Sequence, residues 1–252
     1  GNSGVCPSQN LAEAFDMATG EPFDWNDESM RSRMFVASAR DPRFARTLIY
    51  SGATFKGQPV QSYVGGRNGR PLDGATSTSY YLRKHIVEAT SFVTGSEMSY
   101  QHIFPFFRYA EVLLNYAEAL AAATQNPDFT GMKGEVEYTL SPREALNAVR
   151  ARYNMPGITE TDYAAFVKRL RNERRVELAF EGHSFWDCRR YNIKNKTTKV
   201  YGLTITPQND GSFSYMRSVI QQRGWEDRMN FYPIADAELF KNHNLVQNDG
   251  WK

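Results

Sequence analysis

Along the chain, apolar and polar positions keep no single period until about residue 108, and a helical one after it. In the first stretch, short apolar runs are cut by Gly, Pro, Asn and Asp, the residues that break regular structure. Leu11 to Met17 reads as a short helix closed by Gly20 and Pro22. Asp24-Trp25-Asn26-Asp27 follows as a polar stretch carrying a tryptophan. Arg40-Asp41-Pro42-Arg43-Phe44 reads as a turn, because proline fixes its own φ and disfavours a helical Asp41. Thr47 to Tyr50 is a strand in this reading, and so are Tyr80 to Lys84 and His85 to Val87. Gly65-Gly66-Arg67-Asn68-Gly69-Arg70-Pro71 is a loop, dense in residues that tolerate positive φ.

From Arg108 the pattern is unmistakable. Val112, Leu113, Tyr116, Ala117 and Leu120 share a face, and the helix should end before Asn126-Pro127. Ser141-Pro142-Arg143-Glu144 carries a capping box, with Ser at the N-cap, Pro at the first helical position and Glu at the third. A third helix starts near Thr161-Asp162 and runs toward Gly182; His183 to Tyr191 resumes as a short aromatic helix or a tight turn. The remainder reads as loops through Thr206-Pro207, Asn209-Asp210-Gly211 and Tyr232-Pro233, with a short helix over Asp236 to Phe240. Helix pairs with short links suggest a helical-repeat unit without a fixed period. The expected organisation is a loop-rich, ligand-binding part over 1–104 and a helical region over 105–252, packed as one compact domain.

Composition narrows the classes. The 252 residues are 41% hydrophobic and 23% charged, an ordinary globular balance. A net charge of +2 is too small for a nucleic-acid footprint, so no nucleic-acid partner is expected. No run approaches the roughly 20 apolar residues that cross a bilayer. Cys6 and Cys188 are too few for a disulfide scaffold; they read better as two free thiols than as one disulfide. Gly1 resembles a residue left by tag cleavage, so the natural protein is expected to begin earlier.

The search for catalytic chemistry returns little. Glu173, Glu177 and Glu181 stack four apart on a helix, and paired carboxylates are the equipment of glycosidases. Carboxylates on one helix face cannot flank a substrate without a partner elsewhere, so a structural ion network is the better reading. Arg171, Arg174 and Arg175 lie near enough to neutralise them, and Arg108, Arg150 and Arg152 could join. His85, His102, His183 and His243 are scattered, without metal-ligand spacing. No nucleophile elbow or phosphate loop is present, and no cofactor or metal is expected.

What remains is binding. Aromatics make up 13% of the chain, and Trp25, Tyr63, Tyr80, Tyr81, Phe213, Tyr215 and Trp225 lie in or beside polar, turn-rich segments. Rings flanked by amides and guanidinium groups suit carbohydrate, whose C–H faces stack while its hydroxyls are bonded. The ligand-binding candidates are Trp25 and Asn26 in one loop, Tyr63, Arg67 and Asn68 in another, and Tyr81.

Several segments, in order, carry a resemblance. Phe107 to Ala119, Leu146 to Arg152, Asn172 to His183, Phe185 to Arg190, Phe231 to Ile234 and Asn244 to Asn248 are similar to hallmark stretches of the SusD/RagB family; Arg40 to Phe44 and Tyr80 to Lys84 also match. The resemblance implies a mainly α fold of tetratricopeptide-like helix pairs with a loop-rich, partly β ligand-binding region. It implies a non-catalytic glycan-binding protein of the bacterial cell surface. Such a protein is lipid-anchored in the outer membrane and hands an oligosaccharide ligand to a SusC-like TonB-dependent transporter. The chain looks like the C-terminal half of such a protein, with the lipid-bearing cysteine outside it. The alternative from another class is a helical-repeat scaffold that binds a protein partner and nothing small. A glycan-cleaving enzyme built on the Glu173 ladder is the third.

Overall fold

The computed structural model describes residues 4–91, 93–101, 103–193 and 197–251; Gly1 and His102 lie outside them. Three short helices open the chain: α1 (Gln9–Ala12), α2 (Glu28–Ser32) and α3 (Pro42–Thr47). The helix expected over Leu11 to Met17 is thus confined to one turn starting earlier. The turn expected at Arg40–Phe44 is in fact the head of α3. Asp41 is extended, as a residue before proline should be, but it serves as the N-cap, its carboxylate accepting from Arg43 N at 2.9 Å. Proline then sits at the first helical position, where its missing N–H costs nothing.

Strand β1 (Leu48–Ile49) pairs antiparallel with β4 (Tyr81–Leu82), and β2 (Thr54–Phe55) with β3 (Gln58–Pro59). His85 to Val87 is a turn rather than a strand, His85 having φ +65°. Buried Arg40 binds this region together. Its guanidinium donates to the carbonyls of Ala12 (2.7 Å), Phe15 (2.9 Å) and Met34 (3.1 Å), and lies 4.4 and 4.5 Å from the ring centres of Phe23 and Phe44.

The helical part is α4 (Tyr109–Thr124), α5 (Pro142–Ala151), α6 (Tyr163–Glu177) and α7 (His183–Arg190). The hairpin β5 (Gly131–Lys133) and β6 (Val136–Tyr138) lies between α4 and α5. Both halves of the α5 capping box form, Ser141 Oγ accepting from Glu144 N and Glu144 from Ser141 N. Leu114, Ala117 and Ala121 of α4 pack with Leu146 and Val149 of α5 and Phe166 and Leu170 of α6, in a closed second core.

The region expected to be loops after α7 contains the longest strands. β7 (Lys199–Pro207) pairs antiparallel with β8 (Phe213–Gln222) around the Asn209-Asp210-Gly211 turn. Leu203 and Ile205 of β7 join the first core, with Phe15, Phe44, Leu48 and Tyr80. That core therefore draws on residues from both ends of the chain. Helix α8 (Asp236–Lys241) lies in the tail.

Candidate functional site

The 61–71 loop folds on its own backbone. Gly66 N donates to Tyr63 O (2.9 Å), Gly69 N to Gly66 O (3.0 Å), Asn68 N to Gln61 O (3.0 Å) and Gly65 N to Arg70 O (2.7 Å). A Cβ at Gly66 or Gly69 would overlap the carbonyl oxygen of Gln61 or Tyr63, so only glycine lets the chain close this tightly. The loop is stitched to β7 by Val64 N to Ile205 O (2.8 Å). Ser79 Oγ to Leu203 O (2.6 Å) and Leu203 N to Thr78 O (3.2 Å) fasten the segment behind it.

This anchoring brings the Tyr63 ring 5.1 Å from the ring of Phe213, at the first residue of β8, with the planes inclined by 39°. Both rings reach the surface, Tyr63 half-buried and Phe213 39% exposed. Arg67 is exposed on the same loop as Tyr63, its guanidinium held by Pro59 O and by Gln58 Oε1 at 3.4 Å. Asn68 spends its Oδ1 on Gln61 N (3.0 Å) and leaves its Nδ2 uncommitted among the described residues. Tyr81 is half-buried, and its hydroxyl donates to Asn68 O (2.5 Å) and accepts from Thr76 N (3.2 Å), so it braces the loop. The result is two inclined apolar faces with a guanidinium and an amide donor on the same loop.

Of the six residues picked from sequence, Tyr63, Arg67, Asn68 and Tyr81 are brought together; Trp25 and Asn26 stand apart. Trp25 is half-buried against the first core, its carbonyl accepting from Arg31 Nη1 (3.0 Å). Asn26 is tied by both N and Nδ2 to Asp24 Oδ1. Among the described residues no hydrogen bond, ion pair or ring contact links either to the 61–71 loop. Other rings turn out to be structural. Tyr80 is fully buried with its hydroxyl on Gln9 Oε1 (2.7 Å), and burial pushes that phenol well up. Tyr215 packs edge-on against Phe35 at 5.8 Å, and Trp225 is half-buried 4.9 Å from the Arg189 guanidinium. Phe213, left out of the six, was findable. Its strand follows Asp-Gly, a strong hairpin signal between β-branched runs.

The acidic ladder is a largely buried ion-pair junction. Glu173 accepts from Arg43 and from Arg150 Nη1 (2.8 Å); Glu177 from Arg43 Nη1 (2.9 Å) and Arg108; Glu181 from Arg108 Nε (2.7 Å) and Lys84 Nζ (2.5 Å). All three residues are at most 8% exposed. The cations differ in part from those expected. Arg108 and Arg150 take part, but Arg174 turns to Asp187 (2.8 Å) and Asn115 (2.5 Å), and Arg171 stacks on Tyr191 (4.3 Å). Arg43 and Lys84, which come from the loop-rich part, replace them. Carboxylates clamped in this way hold two parts of the fold together.

Among the described residues no group of three or more His, Cys, Asp or Glu side chains is placed to hold a metal ion, and no helix is long and apolar enough to cross a membrane. Cys6 and Cys188 are both free thiols.

The structure thus joins a stack of helices to a loop-and-hairpin surface that displays the Tyr63–Phe213 ring pair. The family model for the SusD family matches residues 1–251, and the chain belongs to that family. It is 30% identical over 146 residues to SusD-like protein P2 of Formosa agariphila, a match taking in 56% of this chain and 24% of that one. A SusD-like protein of Bacteroides fragilis superposes over 98% of this chain and 47% of its own, with a TM-score of 0.76 at 26% identity. A second, described as a SusD-like carbohydrate-binding protein of the same species, covers 95% and 48%, with a TM-score of 0.68 at 28% identity. The chain thus spans about half the length of these solved relatives. Their likeness bears out the mainly α fold with small sheets.

Proposed function

We propose that this protein binds glycan without cleaving it, and that the Tyr63–Phe213 ring pair is where sugar stacks. The single observation that carries this reading is that pair, inclined at the surface, with Arg67 and Asn68 on the same glycine-closed loop as Tyr63. Membership of the SusD family, and likeness to a relative described as carbohydrate-binding, support the ligand class. Two rings and a few polar groups suit an affinity on the order of micromolar to millimolar. Trp25 and Asn26 serve as a secondary contact for a longer oligosaccharide. The absence of catalysis is part of the proposal, supported by the engagement of Glu173, Glu177 and Glu181 in ion pairs.

The same reading makes the protein a surface component of the outer membrane, lipid-anchored in its full form, that delivers oligosaccharide to a SusC-like TonB-dependent transporter. Family membership supports it. Titrating intrinsic fluorescence against a panel of oligosaccharides tests the binding step. A saturable change with at least one glycan, and no release of reducing sugar, is expected. Silence across the panel, or turnover of a glycan, would overturn it.

A further inference from the structure

Two of the three arginines that the sequence places beside the acidic ladder are left without a carboxylate. The ladder is neutralised from other elements, by Arg43, Lys84, Arg108 and Arg150. On α6 itself Lys168, Arg171 and Arg175 stand three and four residues apart, so they follow one another along one side of the helix. That side is opposite the one that buries Phe166, Leu170 and Glu177. Lys168 and Arg175 are exposed and Arg171 is half-buried. Among the described residues none of the three pairs with a carboxylate, because the carboxylates flanking the strip are committed to other cations. On one flank Asn172 Nδ2 donates to Ala14 O (2.8 Å); there Glu13 pairs with Arg217 (2.8 Å), and Asp16 with Arg150 (3.0 Å) and Arg169 (2.9 Å). On the other flank Arg171 lies over the Tyr191 ring (4.3 Å); there Asp187 pairs with Arg174 (2.8 Å) and Arg190 (3.0 Å). Arg171 Nε is buried with no hydrogen-bond partner among the described residues. Solvent reaches Arg175, yet the protein crowds it enough that burial lowers its pKa, against the weaker pull of Cys188 and Glu13. A guanidinium keeps its charge at any ordinary pH, so crowding without a counter-ion is a cost that a bound anion relieves.

We infer that this strip of α6 is a second binding site, for an acidic polysaccharide whose carboxylate or sulfate groups sit on Lys168, Arg171 and Arg175. At a rise of about 1.5 Å per residue the three stems follow one another at about 4.5 and 6 Å, so each cation meets the charge of a different sugar unit. Guanidinium groups hold such anions through paired N–H bonds, and the Tyr191 ring keeps that of Arg171 flat. That the anion is carried by a saccharide rests on the glycan-binding reading above. The preference for charge rests on the strip alone, and the site makes no use of the Tyr63–Phe213 pair.

Calorimetric titration with oligogalacturonate and with dextran sulfate tests it, the first carrying carboxylates and the second sulfates. At least one should bind, and its affinity should fall as salt rises. Lys168→Gln and Arg175→Gln should each weaken that binding about threefold or more, with Tm unchanged because no ion pair is lost. Arg171→Gln should do the same; if its loss from the Tyr191 ring unsettles the fold, the other two variants still decide. Tyr63→Ala should leave the acidic titration unchanged, which keeps this test separate from that of the ring pair. Silence with both probes, or affinities unmoved by Lys168→Gln and Arg175→Gln, would overturn the inference. Acidic binding lost in Tyr63→Ala and kept in those two variants would do so as well, by placing the ligand on the rings. Tighter binding of poly-glutamate than of either saccharide would make the partner an acidic polypeptide and overturn it too.

Discussion

The Arg43 guanidinium, from the loop-rich part of the chain, meets the Glu177 carboxylate of α6 at 2.9 Å, with both side chains at most 5% exposed. The same guanidinium pairs with Asp41 at 2.6 Å and with Glu173. Removing one partner from such a cluster leaves the others buried and uncompensated. Arg43→Met should therefore cost about 3–5 kcal/mol in urea unfolding. A loss under 1 kcal/mol would show that the junction is not closed to water.

Acid should loosen the same junction. Burial alone would raise the Glu181 carboxyl, but hydrogen bonds from Arg108 and Lys84 outweigh it and hold the group below the ordinary 4.5. Glu118 is likewise held down against burial by Arg190 and Tyr191. A carboxyl with a lowered folded pKa contributes stability that is complete above its unfolded value and is lost as pH falls through the folded one. Tm should hold down to about pH 4.5 and fall below it. Glu181→Gln should lower Tm at neutral pH and converge on the parent in acid; a gap that stays constant across the range would remove the carboxylate as the cause.

The helix stack depends on local signals as well. Ser141→Ala removes one half of the α5 capping box and should cost about 1 kcal/mol, without changing any glycan affinity. A simultaneous loss of binding would mean that the α5 head couples to the loop surface, which nothing in the packing suggests.

Legibility from sequence followed the range of the forces involved. α4, α5 and α6 were visible because a 3.6-residue period and a capping box are written within a few residues. The β7–β8 hairpin is masked by Thr206-Pro207, which reads as a loop, although Asp210-Gly211 between β-branched runs signals a turn. At Arg40–Phe44 the rule for the residue before proline was sound, but an extended Asp41 is also what an N-cap requires. Arg43 as partner of Glu173 was invisible, because 130 residues separate them and only the fold joins them. At the surface, the 61–71 loop announced itself through its glycines. Nothing local, by contrast, could tell that Tyr80 is buried while its neighbour Tyr81 braces the loop.

The loop's closure gives a prediction that separates binding from folding. Gly69→Ala puts a methyl group into the Tyr63 carbonyl, so the loop must open and the Tyr63 ring must shift. Glycan affinity should fall about tenfold, equivalent to about 1.4 kcal/mol, with a smaller fractional effect on unfolding. Unaltered affinity would place the sugar elsewhere.

The most direct measurement is calorimetric titration of a responsive oligosaccharide into the parent protein and into Tyr63→Ala, Phe213→Ala and Trp25→Ala. Loss of either paired ring should weaken binding by about tenfold or more, with Tm changed little, and Trp25→Ala should weaken it less. Equal affinities for the parent, Tyr63→Ala and Phe213→Ala would contradict the account, since sugar that ignores both rings is not held by them.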